Sequence, residues 1–539
     1  MHAGLAWLGL APKTARPAKI FQSCTRIADF KVPLGHPVRQ ASPMASSSQN
    51  VSVSIQSNGD DRTYEQAMAI LESRRRTNRP LTSADSAPKN RGVPSKVGMA
   101  EWLSALGHTE ADVNALSIIH VAGTKGKGST CSFIESMLRA HASRTSFPRN
   151  IGLYTSPHLI YPEERIRIGF QPLSRDLLAK YFFEVYDLLP QLATELDISK
   201  SPIERGPRYL QLWALLAFHV FIREGVDATI VETHSGGEHD ATNVVSKPVV
   251  TAVTSLGMDH IDMLGPTFED IAWHKAGIYK KGAVALSTTQ APSALDVLQQ
   301  RSKQVEASLI VVDQDSRLPA KASQLNPSVQ RKNASLAAAV AQAFLERTAP
   351  AGQGELTVED VRMGVEQWSW PGRYQTVTRG QHTWFLDAAH NEMSIALAAQ
   401  WFEETSLDFA GPERGVSRTV VFSHINELRD ADALLEQLAA ALKACSVDVQ
   451  HVVFTTYADA VESASKVSES SLYFETIWRR YLPNTLVTHE PTITGAVNRV
   501  KTFAAEDRVA HTLVTGSQSL VGPVLRLLQH DHAVRSATD

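Results

Sequence analysis

Residues 120–130 read HVAGTKGKGST. Glycines, a lysine and adjacent hydroxyls packed this closely suit the holding of a polyanion. Gly123, Gly126 and Gly128 let the backbone curl so that successive N–H groups point at one centre. A helix opening at about Ser129 adds the partial positive charge of its N-terminus, and Lys127 adds a full one. Ser129 or Thr130 offers a hydroxyl to a phosphate-bound metal. Together these features describe a nucleoside triphosphate site. The strict phosphate-loop spacing G-x-x-x-x-G-K-[ST] is not met, because Val121 stands at the first glycine position and Gly128 follows the lysine. The competing reading is an ordinary glycine-rich turn between strand and helix.

Triphosphate chemistry needs Mg2+, which prefers oxygen ligands and few protein groups. Glu232 ends the apolar run DATIVE, and His260 follows the next run in SLGMDH. Carboxyl ends of parallel strands are where open α/β sheets bind ligands, so both residues should open into one crevice. Asp259 is the alternative ligand beside His260. Ser156, in YTSPHL, reads on its own as a loop serine, and Lys275, in AWHKAG, as a solvated lysine. Further on, Asp387 ends the run WFLD with His390 close behind, a second polar cluster at a strand end. Arg373, in WPGR, could reach a phosphate from a junction between domains.

These residues need a frame. Ser117–Ala122, Asp227–Glu232 and Val249–Leu256 are short apolar, β-branched runs that predict buried strands. Helical stretches lie between them, notably Ser129 to about His141 and Arg208–Arg223. Such alternation predicts a parallel sheet covered on both faces. Trp368–Arg373 breaks the pattern, since Pro371 and Gly372 suit a linker or sharp turn. Alternation then resumes, with strands at 383–386, 418–423, 451–456, 485–488 and 511–515 and helices at 393–403, 431–443, 470–480, 491–504 and 518–529. The expected organisation is a leader over 1–55, an ATP-binding domain over 56–370 and a smaller α/β domain over 371–539. Segments 79–95 and 317–328 read as loops.

Bulk properties narrow the function. The chain has 539 residues, 43% hydrophobic and 20% charged, with a formal net charge of −3. That is the composition of a folded protein and gives no support for bulk nucleic-acid binding. Cys24, Cys131 and Cys445 are too few and too scattered for a disulfide framework or a zinc site. The most apolar helix, near Trp213–Ile222, is too short to span a bilayer. Residues 1–50 hold six basic residues, one acid and a terminal serine run. That composition resembles an organellar transit peptide and predicts a mitochondrial form, with Met44 as a second start for a cytoplasmic one.

HVAGTKGKGST, GLYTSPHL with ERIRI, Glu232 before GG and DATN, SLGMDH with LGPT and IAWHKAGI, WPGR, LDAAHN and TGSQSLVG follow one another in the order of the folylpolyglutamate synthases, of the Mur ligase superfamily. The upstream TYEQAMAILESRRR resembles the N-terminal helix of the eukaryotic, fungal-like members, and the likeness covers about residues 60–530. It implies a Mur-ligase-like α/β fold, a phosphate-loop parallel-sheet domain followed by a smaller Rossmann-like one, with ATP at the junction. The implied reaction adds L-glutamate to the γ-carboxylate of tetrahydrofolate through an acyl phosphate, giving folylpolyglutamates for one-carbon metabolism. Gly126, Lys127, Gly128 and Ser129 would then hold the triphosphate, and Ser156, Glu232 and His260 would bind Mg2+. Lys275 matches a lysine that is carbamylated in many relatives. Arg373 would contact phosphate, Asp387 the ribose, and His390 would lie near the reacting groups. The loop of TSPHL and ERIRI would help bind the pterin-containing substrate. The resemblance also allows a monovalent cation such as K+, small-molecule substrates only, and a monomer.

The sequence departs from the family beside the substrates. Thr233-His234-Ser235 replaces a small, apolar Gly-Ile type step, and Asp387-Ala388-Ala389-His390 replaces DGAH. TGSQSLVG carries Ser519 where the family has a histidine, and Phe422-Ser423-His424-Ile425 stands for an FNQQ-like step. Three other readings follow: a dihydrofolate synthase, a diverged ligase for another acid and amine, and a nucleotide-binding regulator without turnover. Lys127, Glu232 and His260, all present, argue against the last.

Overall fold

The computed structural model describes residues 62–75, 95–193, 199–409, 415–424, 430–457, 467–503 and 509–536. The expected leader, Met44 and nearly all of the 79–95 loop lie outside these residues. Among the described residues the strands form one eight-stranded and one six-stranded sheet.

The run IIHVA is apolar except at His120 and β-branched at Ile118, Ile119 and Val121, and all five residues are buried. It is therefore a central strand covered on both faces. In chain order the first sheet comprises β1 (Ile118–Ala122), β2 (Ile151–Tyr154), β3 (Ile166–Ile168), β4 (Gln171–Pro172), β5 (Ala228–Glu232), β6 (Val250–Val253), β7 (Val284–Thr288) and β8 (Ser308–Val312). Their spatial order is β4-β3-β2-β5-β1-β6-β7-β8. The strands from β2 to β8 in that order run parallel, and β3 and β4 are antiparallel at one edge. The chain leaves β1 toward β2 on one side and later passes from β5 to β6 on the other. This change of direction opens a crevice at the carboxyl ends, where the glycine loop lies.

The second sheet comprises β9 (Gln375–Arg379), β10 (His382–Leu386), β11 (Val416–Phe422), β12 (His451–Phe454), β13 (Leu486–His489) and β14 (Val509–Thr515). Its order is β13-β12-β11-β14-β10-β9, with β9 alone antiparallel. The expected strands from 383 to 515 are all present, and β9 adds a hairpin at the edge.

One boundary differs for an instructive reason. The apolar run 249–256 predicts a strand to Leu256, but β6 stops at Val253. Thr254 Oγ1 instead donates to Lys125 O (2.7 Å), and Ser255 O accepts the Thr124 and Lys125 N–H groups (3.0 Å each). The end of this segment is used to shape the glycine loop.

Cores fill both faces of the first sheet. Helix Lys127–Thr145 packs its Phe133, Ile134, Met137 and Leu138 against the helices Ser328–Thr348 and Val358–Glu366. Trp368 stacks on Phe133 (4.2 Å between centroids), and its Nε1 donates to Ser132 Oγ (2.7 Å). Helix Tyr209–Arg223, buried as expected, lies in the cluster on the other face with Trp102, Phe182 and Tyr154. No described helix is long and apolar enough to cross a membrane. The two lobes interlock where Leu159 and Ile160, in the loop after β2, pack on the second lobe's core beside Leu520 and Val521.

Candidate active site between the two sheets

A cavity of about 530 Å³ lies at the carboxyl ends of both sheets. Gly126, Lys127, Gly128, Ser129, Ser156, Glu232, His260, Arg373, Asp387 and His390 all line it, whereas Lys275 does not.

The glycine loop leaves β1 at Ala122. A Cβ on Gly123 would lie 1.8 Å from Thr254 Oγ1, so only glycine lets the loop pass this close to β6. Gly126 has φ +87°, the left-handed region that glycine enters without steric cost, and it caps helix Lys127–Thr145 with no side-chain acceptor for the first N–H groups. The helix starts two residues before the expected Ser129, so Lys127 and Gly128 belong to its first turn. Of the two hydroxyls, Ser129 lines the cavity, whereas Thr130 Oγ1 is fully buried behind it. The uncapped helix end thus faces the cavity with its positive partial charge open to an anion.

Glu232 ends β5 beside this loop and is almost fully buried. Its Oε1 lies 3.9 Å from Lys127 Nζ. Its Oε2 accepts a short hydrogen bond from Thr155 Oγ1 and a longer one from the Ser156 N–H (3.4 Å). Ser156 therefore reaches Glu232 through its backbone, and Thr155 is a neighbour that the sequence reading missed. His260 is exposed at the cavity rim with φ +53°. Asp259 is more engaged: its Oδ2 is 3.4 Å from Lys125 Nζ and accepts from Asn391 Nδ2 (3.2 Å).

Lys275 sits one layer behind the wall, on helix Phe268–Ala276. Its Nζ donates to Ser235 O (2.5 Å). Burial, then the nearby charge of Lys127, holds this amine well below the usual lysine range. The altered step after Glu232 explains itself locally. The His234 ring is held between Asp240 Oδ1 (Nδ1, 3.3 Å) and the Tyr154 hydroxyl (Nε2, 2.7 Å), and the His234 N–H donates to Asp240 Oδ2 (2.9 Å). Burial alone would raise the Asp240 carboxyl, but His234 and Thr242 hold it well below the usual range.

From the second lobe, Asp387 follows β10. It is buried and accepts the Tyr374 N–H at Oδ2 and the Ala389 N–H at Oδ1, each at 3.0 Å. Burial nevertheless pushes its carboxyl up to about 6. Arg373 projects from the turn between the lobes, its Nη1 on Gly372 O (3.1 Å). His390 donates from Nδ1 to Ala388 O (2.9 Å), so Nε2 is the acceptor for Lys125 Nζ (3.1 Å). Lys125, of the first lobe, thus joins Asp259 to His390 across the cavity. The sequence reading overlooked it because a lysine in a glycine loop carries no second signal. It likewise overlooked Gln330 and Asn333, on helix Ser328–Thr348, whose Gln330 Nε2 and Asn333 Oδ1 are buried at the cavity wall without hydrogen-bond partners among the described residues. Among the described residues no three His, Cys, Asp or Glu side chains cluster as a metal cage.

Comparison with protein-family models finds no match. Curated relatives cover nearly the whole chain. A folylpolyglutamate synthase of Neurospora crassa is 36% identical over 500 residues, 88% of this chain and 93% of that protein. One of Saccharomyces cerevisiae is 34% identical over 491 residues, 86% of each. Among solved structures, Mycobacterium tuberculosis folylpolyglutamate synthase complexed with ADP aligns at a TM-score of 0.66 and 24% identity, covering 86% of this chain and 98% of that one. E. coli FolC in complex with DHPP and ADP aligns at a TM-score of 0.61 and 23% identity, covering 87% and 98%. The solved structures share the two-lobed Mur-ligase-like fold described above. With a uncapped loop helix, a strand-end glutamate and a facing second lobe in place, the similarity to the fungal proteins settles the family: this chain belongs to the folylpolyglutamate synthases.

Proposed function

We propose that this chain is the ATP-dependent ligase that adds L-glutamate to the γ-carboxylate of tetrahydrofolate, building folylpolyglutamates. One observation carries the reading. The open helix N-terminus with Lys127 and Glu232 faces Arg373, Asp387 and His390 across a single cavity. A carboxylate is a poor electrophile, so it must gain a leaving group. Its oxygen attacks the terminal phosphorus of ATP, the bond to ADP breaks, and an acyl phosphate forms. The glutamate nitrogen attacks the acyl carbon, phosphate leaves and the amine loses its proton. The protein's part is to position the groups and neutralise charge.

The residues present fit a nucleotide. The loop N–H groups, Lys127 and Ser129 suit the phosphates, and the partnerless Gln330 Nε2 and Asn333 Oδ1 suit a polar ring such as a base. Arg373 would reach a phosphate and Asp387 the ribose. The hydroxyl, carboxylate and imidazole of Ser156, Glu232 and His260 would hold Mg2+, which takes few protein ligands and supplies neutralisation of phosphate charge. Burial favours the uncharged amine of Lys275, the form that would take up CO2 as a carbamate. His390, with Nε2 turned to Lys125, would lie by the reacting groups.

Purified protein given Mg-ATP, tetrahydrofolate and L-glutamate should release ADP only when all three are present. Release with dihydropteroate as acceptor would instead favour a dihydrofolate synthase. We assign the chain to mitochondria through residues 1–43, with a cytoplasmic form from Met44. Deleting 1–43 should move a tagged protein to the cytosol, and an unchanged distribution rejects the assignment. We propose that the protein is a monomer, and light scattering at twice the chain mass would reject it.

A further inference from the structure

One wall of the cavity is formed by Leu210 with Pro157 and Arg165 of the TSPHL and ERIRI segments, and none of the three has been given a role of its own above. Arg165 immediately precedes β3, and its carbonyl accepts the Thr155 N–H (3.0 Å). The side chain is almost wholly buried, at 3% exposure. Its Nε donates to His158 Nδ1 (3.0 Å), while Nη1 is fully buried with no hydrogen-bond partner among the described residues.

Nothing described there supplies a counter-charge. Glu163 is taken by Tyr64 and Arg175, and Glu164 accepts the N–H groups of Leu159, Ile160 and Tyr161. His158 is neutral at physiological pH, since burial and then the charges of Arg165 and Arg75 lower its pKa to about 4. The Arg165 guanidinium lies 5.6 Å from the Tyr209 ring centroid and 5.3 Å from that of Trp213. Arg75 lies over the same Tyr209 ring at 4.5 Å, with its own charge paired to Glu72 (2.8 Å). A buried cation without a counter-charge is an unfavourable arrangement that a bound anion relieves.

We propose that Arg165 binds a carboxylate of one of the two organic acid substrates through the guanidinium edge left without a partner. This rests on the ligase reading of the cavity. A planar guanidinium matches a carboxylate in a bidentate pair, and Pro157 and Leu210 beside it on the cavity wall suit an organic body rather than a bare ion. The phosphates have their own site. Arg165 lies three places along the sheet from β1, and strands spaced about 4.8 Å apart put it roughly 14 Å from the glycine loop.

The test compares Arg165→Gln and Arg165→Lys with the wild-type full chain, varying L-glutamate and tetrahydrofolate separately at saturating Mg-ATP. Arg165→Gln should raise KM for one acid about tenfold or more, with KM for ATP within about twofold of wild type; Arg165→Lys, which keeps the charge without the fork, should fall between. A rise confined to glutamate assigns the carboxylate of the incoming amino acid. A rise confined to the folate assigns the acceptor's α-carboxylate, and the variant should then no longer discriminate against the acceptor's α-amide. The ligand-free Arg165→Gln protein should melt no lower than wild type but lose the stabilisation that the assigned acid gives. Unchanged KM values for both acids overturn the proposal, as does an equal loss for both acids and ATP with a lower melting temperature, which marks a structural role. If Arg165→Gln does not fold, unchanged KM values in Arg165→Lys overturn it. Failure of the ligase reading looks different: wild type itself would then release no ADP in response to folate and glutamate.

Discussion

Replacing Gly126 with alanine perturbs the phosphate loop at its tightest point, and its cost can be worked out. At φ +87° an L-residue holds its Cβ too close to the backbone, at about 1–2 kcal/mol. The added methyl would also stand 2.3 Å from Asn333 Oδ1. Asn333 cannot easily retreat, because it is buried and its Nδ2 donates to Gln330 Oε1 (2.9 Å). Nor can the loop, pinned by Thr254 and Ser255 through Lys125. The strain must then lower stability or distort the helix N-terminus. If it falls on the site, 1–2 kcal/mol corresponds to roughly a five- to thirtyfold rise in KM for ATP. The assay is ADP release as a function of ATP, with thermal unfolding in parallel. In melting temperature, the double variant Gly126→Ala, Asn333→Ala compared with Asn333→Ala alone should show the conformational cost without the contact cost, a smaller drop than Gly126→Ala gives in the wild-type background. A Gly126→Ala protein matching wild type in both KM and melting temperature would refute the loop geometry.

Other perturbations separate the roles. Lys127→Ala should fold normally and lose turnover by about two to three orders of magnitude, as expected for removing a cation aimed at developing phosphate charge; a variant within about twofold of wild type would remove Lys127 from the mechanism. Asp387 has its pKa raised to about 6 by burial, so KM for ATP should rise as pH falls through 6, when the ribose acceptor is protonated. Its contribution to stability runs the other way. The fold binds more protons than the unfolded chain between about pH 4 and 6, so up to about 3 kcal/mol present at low pH is lost as pH rises through that window. Asp387→Asn should flatten both profiles, and a persisting step in KM near pH 6 would assign it to another group. Lys125→Met removes the link between Asp259 and His390 and should lower kcat about a hundredfold; unchanged kcat would make that link incidental.

The sequence carries its clearest signals where one residue type serves one purpose. Glycines at a strand-to-helix turn and acids at strand ends placed the loop, Glu232 and Asp387 correctly at one cavity, because a parallel sheet sends all its carboxyl ends to one side. Strands β1, β5 and β10 were legible because each is mostly apolar and buried along its whole length. What stayed hidden depends on contacts between distant segments. Thr155 is an ordinary loop residue until β2 and β5 are paired, when it meets Glu232. Lys125 gains meaning only when His390 approaches from the second lobe. Val249–Leu256 overran because hydrophobicity does not reveal that Thr254 and Ser255 are bonded to the loop. His234 appeared to be a break with the family pattern, yet Asp240 and Tyr154 give it two partners. Arg165 sits in a motif visible at once, but its lack of a counter-ion shows only in the folded chain.

The central claim is that this cavity activates a folate γ-carboxylate by transferring a phosphoryl group to it. The most direct test uses tetrahydrofolate labelled with 18O in both γ-carboxylate oxygens, with Mg-ATP and L-glutamate, followed by mass analysis of the inorganic phosphate. The account predicts one 18O atom in each phosphate released, left behind when the acyl–oxygen bond breaks. Phosphate free of label alongside labelled amide product would contradict it.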